Sequence, residues 1–232
     1  MPIWSLEGTP PPPPSHSTMP FARKLRTVPV AVWPAAMVLA VAALAISVSA
    51  GADVVHLDVL ANHAVHSHAA EPVTGWVFVV TTLGATPVLI AVVLSAAAGL
   101  AIRGRWRSAV ALVLAYSVTD MTVAVVKHLV SRPRPDESLT HASGFSFPSG
   151  HSALSMAVYG CLAFALARSA RGAGRVALAA GGAAIVVAIG LSRVYLGVHY
   201  PTDVLAGWIT GAAILIAAWA VAVRLRPAAN AG

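Results

Sequence analysis

The sequence predicts an all-α fold: an integral membrane bundle of six transmembrane helices, with an interfacial helix between the first two. Composition, the spacing of apolar runs and the placement of cations carry that expectation. The chain of 232 residues is 58% hydrophobic and only 10% charged, with a mean hydropathy of +0.79. A soluble domain carries about 25% charged residues. The length suits one bundle of six spans, since each span takes roughly 20 residues.

Residues 1–27 hold the run Pro10–Pro14 with Ser and Thr neighbours. Such composition buries no core and predicts a disordered cytoplasmic tail. Residues 28–224 form the membrane domain, and 225–232 a short second tail. Apolar runs follow at 29–50, 76–101, 107–129, 148–168, 175–192 and 203–223. The first, preceded by Arg23, Lys24 and Arg26 and ending in Val48-Ser49-Ala50, has features of a signal peptide. Its apolar stretch exceeds the usual 7–15 residues of such a leader, which favours a retained helix.

Segment 51–75 is too polar to span. Val54, Leu57, Leu60 and Ala64 recur at helical spacing among Asp58, Asn62, His63 and His66, which predicts an amphipathic helix at the interface. His63 and His66 share a face but lack a third ligand, so no metal site is expected. The single cysteine, Cys161, excludes an intramolecular disulfide. The third run carries Asp120, on the same helical face as Lys127 and about 10.5 Å from it. A hydrogen bond within the bundle or a tuning role beneath the site is expected there.

The net charge is +7 and the isoelectric point near 10.5. The cations fall in clusters between apolar runs, which fits membrane topology rather than a nucleic-acid surface. One set of connections holds Arg23, Lys24, Arg26, Arg103, Arg105, Arg107, Arg168, Arg171, Arg175, Arg224 and Arg226. The alternate set holds only Lys127, Arg132, Arg134 and Arg193. The positive-inside rule therefore predicts both termini in the cytoplasm and the second set facing outward. The excess of Arg over Lys and the abundance of Ala suggest a GC-rich bacterial source, hence a bacterial plasma membrane.

Three polar stretches interrupt the apolar chain: Lys127-(six residues)-Arg134-Pro135, Pro148-Ser149-Gly150-His151, and Ser192-Arg193-(five residues)-His199-(three residues)-Asp203. Ionisable side chains among membrane spans are costly and are by default functional candidates. Two spans separate His151 from Ser192, so all three stretches emerge at one mouth of the bundle. Lys127 offers a point charge, and Arg134 and Arg193 planar forks, which suit phosphoryl oxygens. Ser149 and the Gly150 amide sit where a span begins, with free N–H groups and the helix dipole available to an anion. The two histidines can divide the labour of nucleophile and general acid. Asp203, four residues after His199, can fix that ring's tautomer. Spacing leaves open which histidine plays which role.

At these residues the chain resembles the type 2 phosphatidic acid phosphatase superfamily, whose signature is K-x6-RP, PSGH and SR-x5-H-x3-D; every position is matched. The resemblance covers about 50–223, including Gly144-Phe145-Ser146-Phe147. It implies His199 as nucleophile, His151 as general acid, Asp203 as orienting carboxylate, and a phosphohistidine intermediate. Lys127, Arg134, Ser149, Gly150 and Arg193 would bind phosphate. It implies no metal and no other cofactor. The expected partner is a membrane lipid phosphate, with undecaprenyl diphosphate leading, phosphatidate and phosphatidylglycerol phosphate close behind, and no nucleic acid. Two alternatives are a lipid phosphotransferase using the same intermediate and a non-catalytic lipid transporter or scaffold. The soluble vanadium haloperoxidases share the signature but not the spans. Phe145 and Phe147 are expected to line the mouth against lipid.

Overall fold

A computed structural model describes residues 32–51 and 53–224, with the side chains of Val223 and Arg224 left aside. The expected tails, 1–27 and 225–232, lie outside the described residues. Eight helices run in order: α1 Val32–Ser49, α2 Asp53–His66, α3 Val73–Thr82, α4 Thr86–Ile102, α5 Trp106–Val130, α6 Gly150–Ala167, α7 Gly172–Tyr195 and α8 Pro201–Arg224. Five of them (α1, α5, α6, α7 and α8) are long and apolar enough to cross a membrane, and the pair α3–α4 makes a sixth span if its two halves count as one.

The second expected span, 76–101, is broken: α3 and α4 meet at a bend of 48°. The cause is local. Pro87 has no N–H to reach the Leu83 carbonyl one turn back. That carbonyl instead accepts the Tyr159 hydroxyl from α6 at 2.7 Å. Gly84 fits the break because a Cβ there would fall 2.6 Å from Ile189 Cγ2 and 2.9 Å from His151 Cδ2.

Helix α6 sits at the centre, packed against α5, α7 and α8, with α1 outermost on α8. Lipid tails are as apolar as side chains, so helix association here depends on close packing and small residues. Ala115, Ala157 and Ala218 accordingly meet between α5, α6 and α8. A Cβ on Gly207 would lie 2.6 Å from the Ser149 carbonyl, so glycine allows the starts of α6 and α8 to touch. Leu89, Leu112 and Val158 seal α4, α5 and α6 on the other side.

Two further expectations change, and the amphipathic helix gains an orientation. In α2 the polar face turns inward: Asp58 and Asn62 are buried, while Leu57 is 63% and Leu60 51% exposed. Both polar side chains have partners in the protein (below), which leaves the leucines to face outward. Phe147 does not line the mouth; it is fully buried with Val48 and Ala206, whereas Phe145 stays partly exposed. Asp120 is exposed on α5 and makes no hydrogen bond among the described residues, so the expected bond within the bundle is absent.

Candidate active site

Helix ends deliver the three polar stretches to one end of the bundle. Helix α5 stops at Val130, with Ser131 in the left-handed region (φ 50°) and its N–H returned to the Lys127 carbonyl. Pro133 and Pro135 then prevent the helix from resuming. Helix α6 starts behind Ser149, whose side chain caps it by accepting the Ser152 N–H. The Ser149 N–H itself donates to the Asp203 carbonyl at 2.9 Å, which fixes the PSGH turn onto α8.

His199 sits in the loop between α7 and α8, almost fully buried. Arg134 Nη1 lies 3.2 Å from its Nε2. A guanidinium can only donate, so Nε2 carries the lone pair and Nδ1 the proton. Nδ1 faces Asp203 Oδ2 at 3.5 Å and Ser146 Oγ at 3.4 Å. The Asn62 side chain donates to the His199 carbonyl at 3.1 Å and holds the loop from α2. Burial pushes the imidazole down to about 4; Asp203 opposes that shift, and Lys127 and Arg134 reinforce it. The ring is therefore neutral at pH 7, with its lone pair on the side of the cations.

Asp203 is completely buried and densely partnered. Its Oδ2 accepts from Ser146 Oγ and from the Tyr200 N–H at 2.9 Å. Its Oδ1 accepts Arg132 Nη1 at 2.7 Å. The other arm of Arg132, Nη2, donates to Asp58 on α2 at 2.8 Å, and the guanidinium lies over the Tyr200 ring. Asp58 also accepts the Thr202 N–H at 3.1 Å and the Thr202 hydroxyl. A buried charge is tolerated when paired and hydrogen-bonded, and this Asp58–Arg132–Asp203 chain meets both conditions.

Lys127, Arg134 and Arg193 differ from Arg132 in having no carboxylate within ion-pair distance among the described residues. Lys127 Nζ donates to the Phe145 and Ser146 carbonyls. Arg134 donates to the carbonyls of Ser143, Gly144 and Val198. Arg193 is buried; its Nη1 donates to Thr81 Oγ1 at 2.7 Å, and its Nε has no partner. Thr81 and Gly84 belong to one broken turn, so the break sets Arg193 beside His151. Ser149 is fully buried with its N–H spent, whereas the Gly150 N–H finds no backbone acceptor among the described residues. Three uncompensated cations around a neutral imidazole suit a dianionic phosphate ester.

Motif spacing does not reveal Arg132, Asp58, Asn62, Thr202, Ser146 or Thr81. One signal pointed to Arg132: it is the cation on that face that belongs to no motif. His63, considered as a metal ligand, instead pairs with Glu137 at 3.4 Å on the surface.

The sequence pattern of the PAP2 superfamily matches residues 108–227. The chain belongs to that superfamily. Phosphatidylglycerophosphatase B of Bacillus subtilis (strain 168) is 36% identical over 137 residues, which cover 57% of this chain and 66%, about two thirds, of that relative. The crystal structure of a transmembrane PAP2-type phosphatidylglycerolphosphate phosphatase from Bacillus subtilis superposes with a TM-score of 0.77 at 28% identity, over 83% of this chain and 97% of that one. LpxE of Aquifex aeolicus shares the fold alone, with a TM-score of 0.54 at 23% identity over 70% and 92% of the two chains. This PAP2 protein is a multi-pass membrane protein and a lipid phosphate phosphatase.

Proposed function

We propose that the protein removes the terminal phosphate of a membrane lipid through a phosphohistidine on His199. The observation that carries this is the state of the imidazole: Nδ1 turned to Asp203, and Nε2 unprotonated among three unpaired cations. Nε2 attacks phosphorus as the P–O bond to the lipid breaks. Arg134 moves from Nε2 onto a phosphoryl oxygen, with Lys127, Arg193 and the Gly150 N–H on the others. His151 gives its proton to the leaving oxygen. It then takes a proton from water, which attacks phosphorus as the P–N bond breaks. Asp203 stabilises the imidazolium character that develops on His199. Preorganised donors of this kind usually form the largest catalytic contribution.

Phosphatidylglycerol phosphate is put first among substrates, a reading that the names of the two Bacillus subtilis proteins support; undecaprenyl diphosphate and phosphatidate are the competitors. The cation-poor end that holds the site faces outward from a bacterial plasma membrane, with both termini inside. Helix α2 lies along the outer interface, Leu57 and Leu60 toward lipid. Residues 28–224 form the catalytic unit, and the terminal segments are appendages.

Purified protein given each of these lipids and a soluble phosphomonoester should release phosphate fastest from phosphatidylglycerol phosphate. Quenching a reaction with ³²P-labelled lipid should leave acid-labile, base-stable label on the wild type and none on His199→Ala. Turnover by wild type without such label would overturn the covalent route.

A further inference from the structure

The opposite end of the bundle holds a cavity of about 310 Å³, where the turn between α4 and α5 meets the ends of α6 and α8. Three arginines converge on it. Arg105 donates to the Ala165 carbonyl of the last turn of α6. Arg107 lies 5.1 Å from the Trp106 ring centroid, and its buried Nε has no hydrogen-bond partner among the described residues. Arg168 lies over Trp219 at 5.2 Å and Phe164 at 5.8 Å. Ser108 and Ser169 add hydroxyls to the wall.

Among the described residues no carboxylate answers these cations. Of the chain's eight Asp and Glu residues, all but Glu7 fall among the described residues. Asp120 sits partway along α5, and the rest lie toward the end that holds His199. The ion pairs among the described residues all lie at that end too. Topology alone accounts for arginines near this face. It does not account for their collection around a cavity, or for a buried guanidinium nitrogen left unpaired, since buried polar groups are normally satisfied.

We propose that this cavity binds the phosphodiester head group of an anionic phospholipid, separately from the substrate. Guanidinium forks match phosphate oxygens bidentately. Stacking on Trp106 and Trp219 holds two of the forks in place before the ligand arrives. Tryptophan is favoured at head-group depth, and basic pockets between transmembrane helices are suited to anionic lipids. Free phosphate offers the same oxygens, so the test must separate the two sources.

The full chain in neutral detergent should be titrated with cardiolipin, a diester that presents no terminal phosphate for hydrolysis. Phosphatidylcholine and inorganic phosphate serve as comparisons. Melting temperature and native mass spectrometry report binding. Cardiolipin should raise the melting temperature and remain bound, at half-saturation at least tenfold below that of phosphatidylcholine. The R107Q/R168Q variant should weaken cardiolipin at least tenfold. R171Q/R175Q, with the same charge loss on the same face outside the cavity, should weaken it less than threefold. Equal weakening by both variants would reduce the site to a diffuse field and overturn the proposal. So would equal weakening by R193Q at the other end, or an equal response to phosphatidylcholine. An inorganic phosphate response matching that of cardiolipin would overturn the lipid assignment. If R107Q/R168Q does not fold, R168K keeps the charge and loses the fork; unchanged affinity there would also count against the site.

Discussion

At the end where α6 and α8 begin, positive charge comes in two kinds. Arg132 is buried between Asp58 and Asp203, while Lys127, Arg134 and Arg193 have no carboxylate partner. At the end where those helices finish, six arginines (Arg103, Arg105, Arg107, Arg168, Arg171 and Arg175) face no described carboxylate at all. By the function proposed above, the first end uses its carboxylates for geometry and leaves three cations for a substrate. The second stacks two of its cations, Arg107 and Arg168, on aromatic rings. Under both proposals, paired charge positions groups and unpaired charge awaits an anion.

The largest way to break this division is at His199. His199→Ala should lower phosphate release by about 10⁴-fold or more, with the protein still folded by size exclusion. Asp203→Asn should cost about 10³- to 10⁴-fold, because an amide in place of the carboxylate no longer holds the imidazole tautomer. Phosphate release near wild type in His199→Ala would remove His199 from the chemistry, and in Asp203→Asn would remove the orienting role of Asp203.

Arg132 tests the paired kind of charge. Arg132→Met strands two buried carboxylates, at a stability cost of about 3–5 kcal/mol. Turnover should fall about 10²-fold through misplacement of Asp203, with KM little changed because Arg132 meets no substrate. Arg193→Gln should instead raise KM as well as lower kcat. If the two variants show the same pattern, paired and unpaired cations are not doing different jobs. Asp58→Asn keeps the shape and should have the milder effect, and combining it with Arg132→Met should be markedly less than additive.

The fold and the motif residues were legible because spans and phosphate chemistry both leave local patterns. Apolar runs of span length marked the bundle, and Lys127, Arg134, His151, Arg193, His199 and Asp203 stood out as ionisable groups in it. What was hidden depends on long-range packing. Asp58 looked like one polar residue of an amphipathic helix, yet its partners Arg132 and Thr202 lie 74 and 144 positions away. The break at Leu83–Ala85 was half visible: Pro87 forbids one hydrogen bond, but only Tyr159 from another helix makes the break stable. Phe147 reads like Phe145, and the two diverge because only the former meets Val48 and Ala206.

The pH profile gives a smaller, sharper test. His199 is pushed down to about 4 by burial, so its neutral form persists well below the ordinary value of about 6.5. The acid limb of kcat/KM that reports His199 should accordingly lie below 6.5. Lys127→Met removes a cation that disfavours protonation, so this limb should move to higher pH. The same shift bears on stability. The folded state binds the proton more weakly, so this contribution is complete above about 6.5 and is lost as pH falls toward 4. An acid limb that stays fixed in Lys127→Met would separate Lys127 from the His199 environment.

Asp120 should show the smallest effect. It shares a helix with Lys127, yet it is exposed on α5 without a hydrogen bond among the described residues, while its neighbour Thr119 is fully buried. Neither of the roles expected from the sequence has a contact to act through. A carboxylate at mid-span costs about 2.5–3.5 kcal/mol on an insertion scale. Asp120→Leu should therefore leave kcat and KM within about twofold and hold or raise the melting temperature. A tenfold loss of kcat with Asp120→Leu, rescued by Asp120→Glu, would reveal a carboxylate acting on the site from below. The contrast between an end that carries the chemistry and a shaft that only carries the helices would then fail along α5.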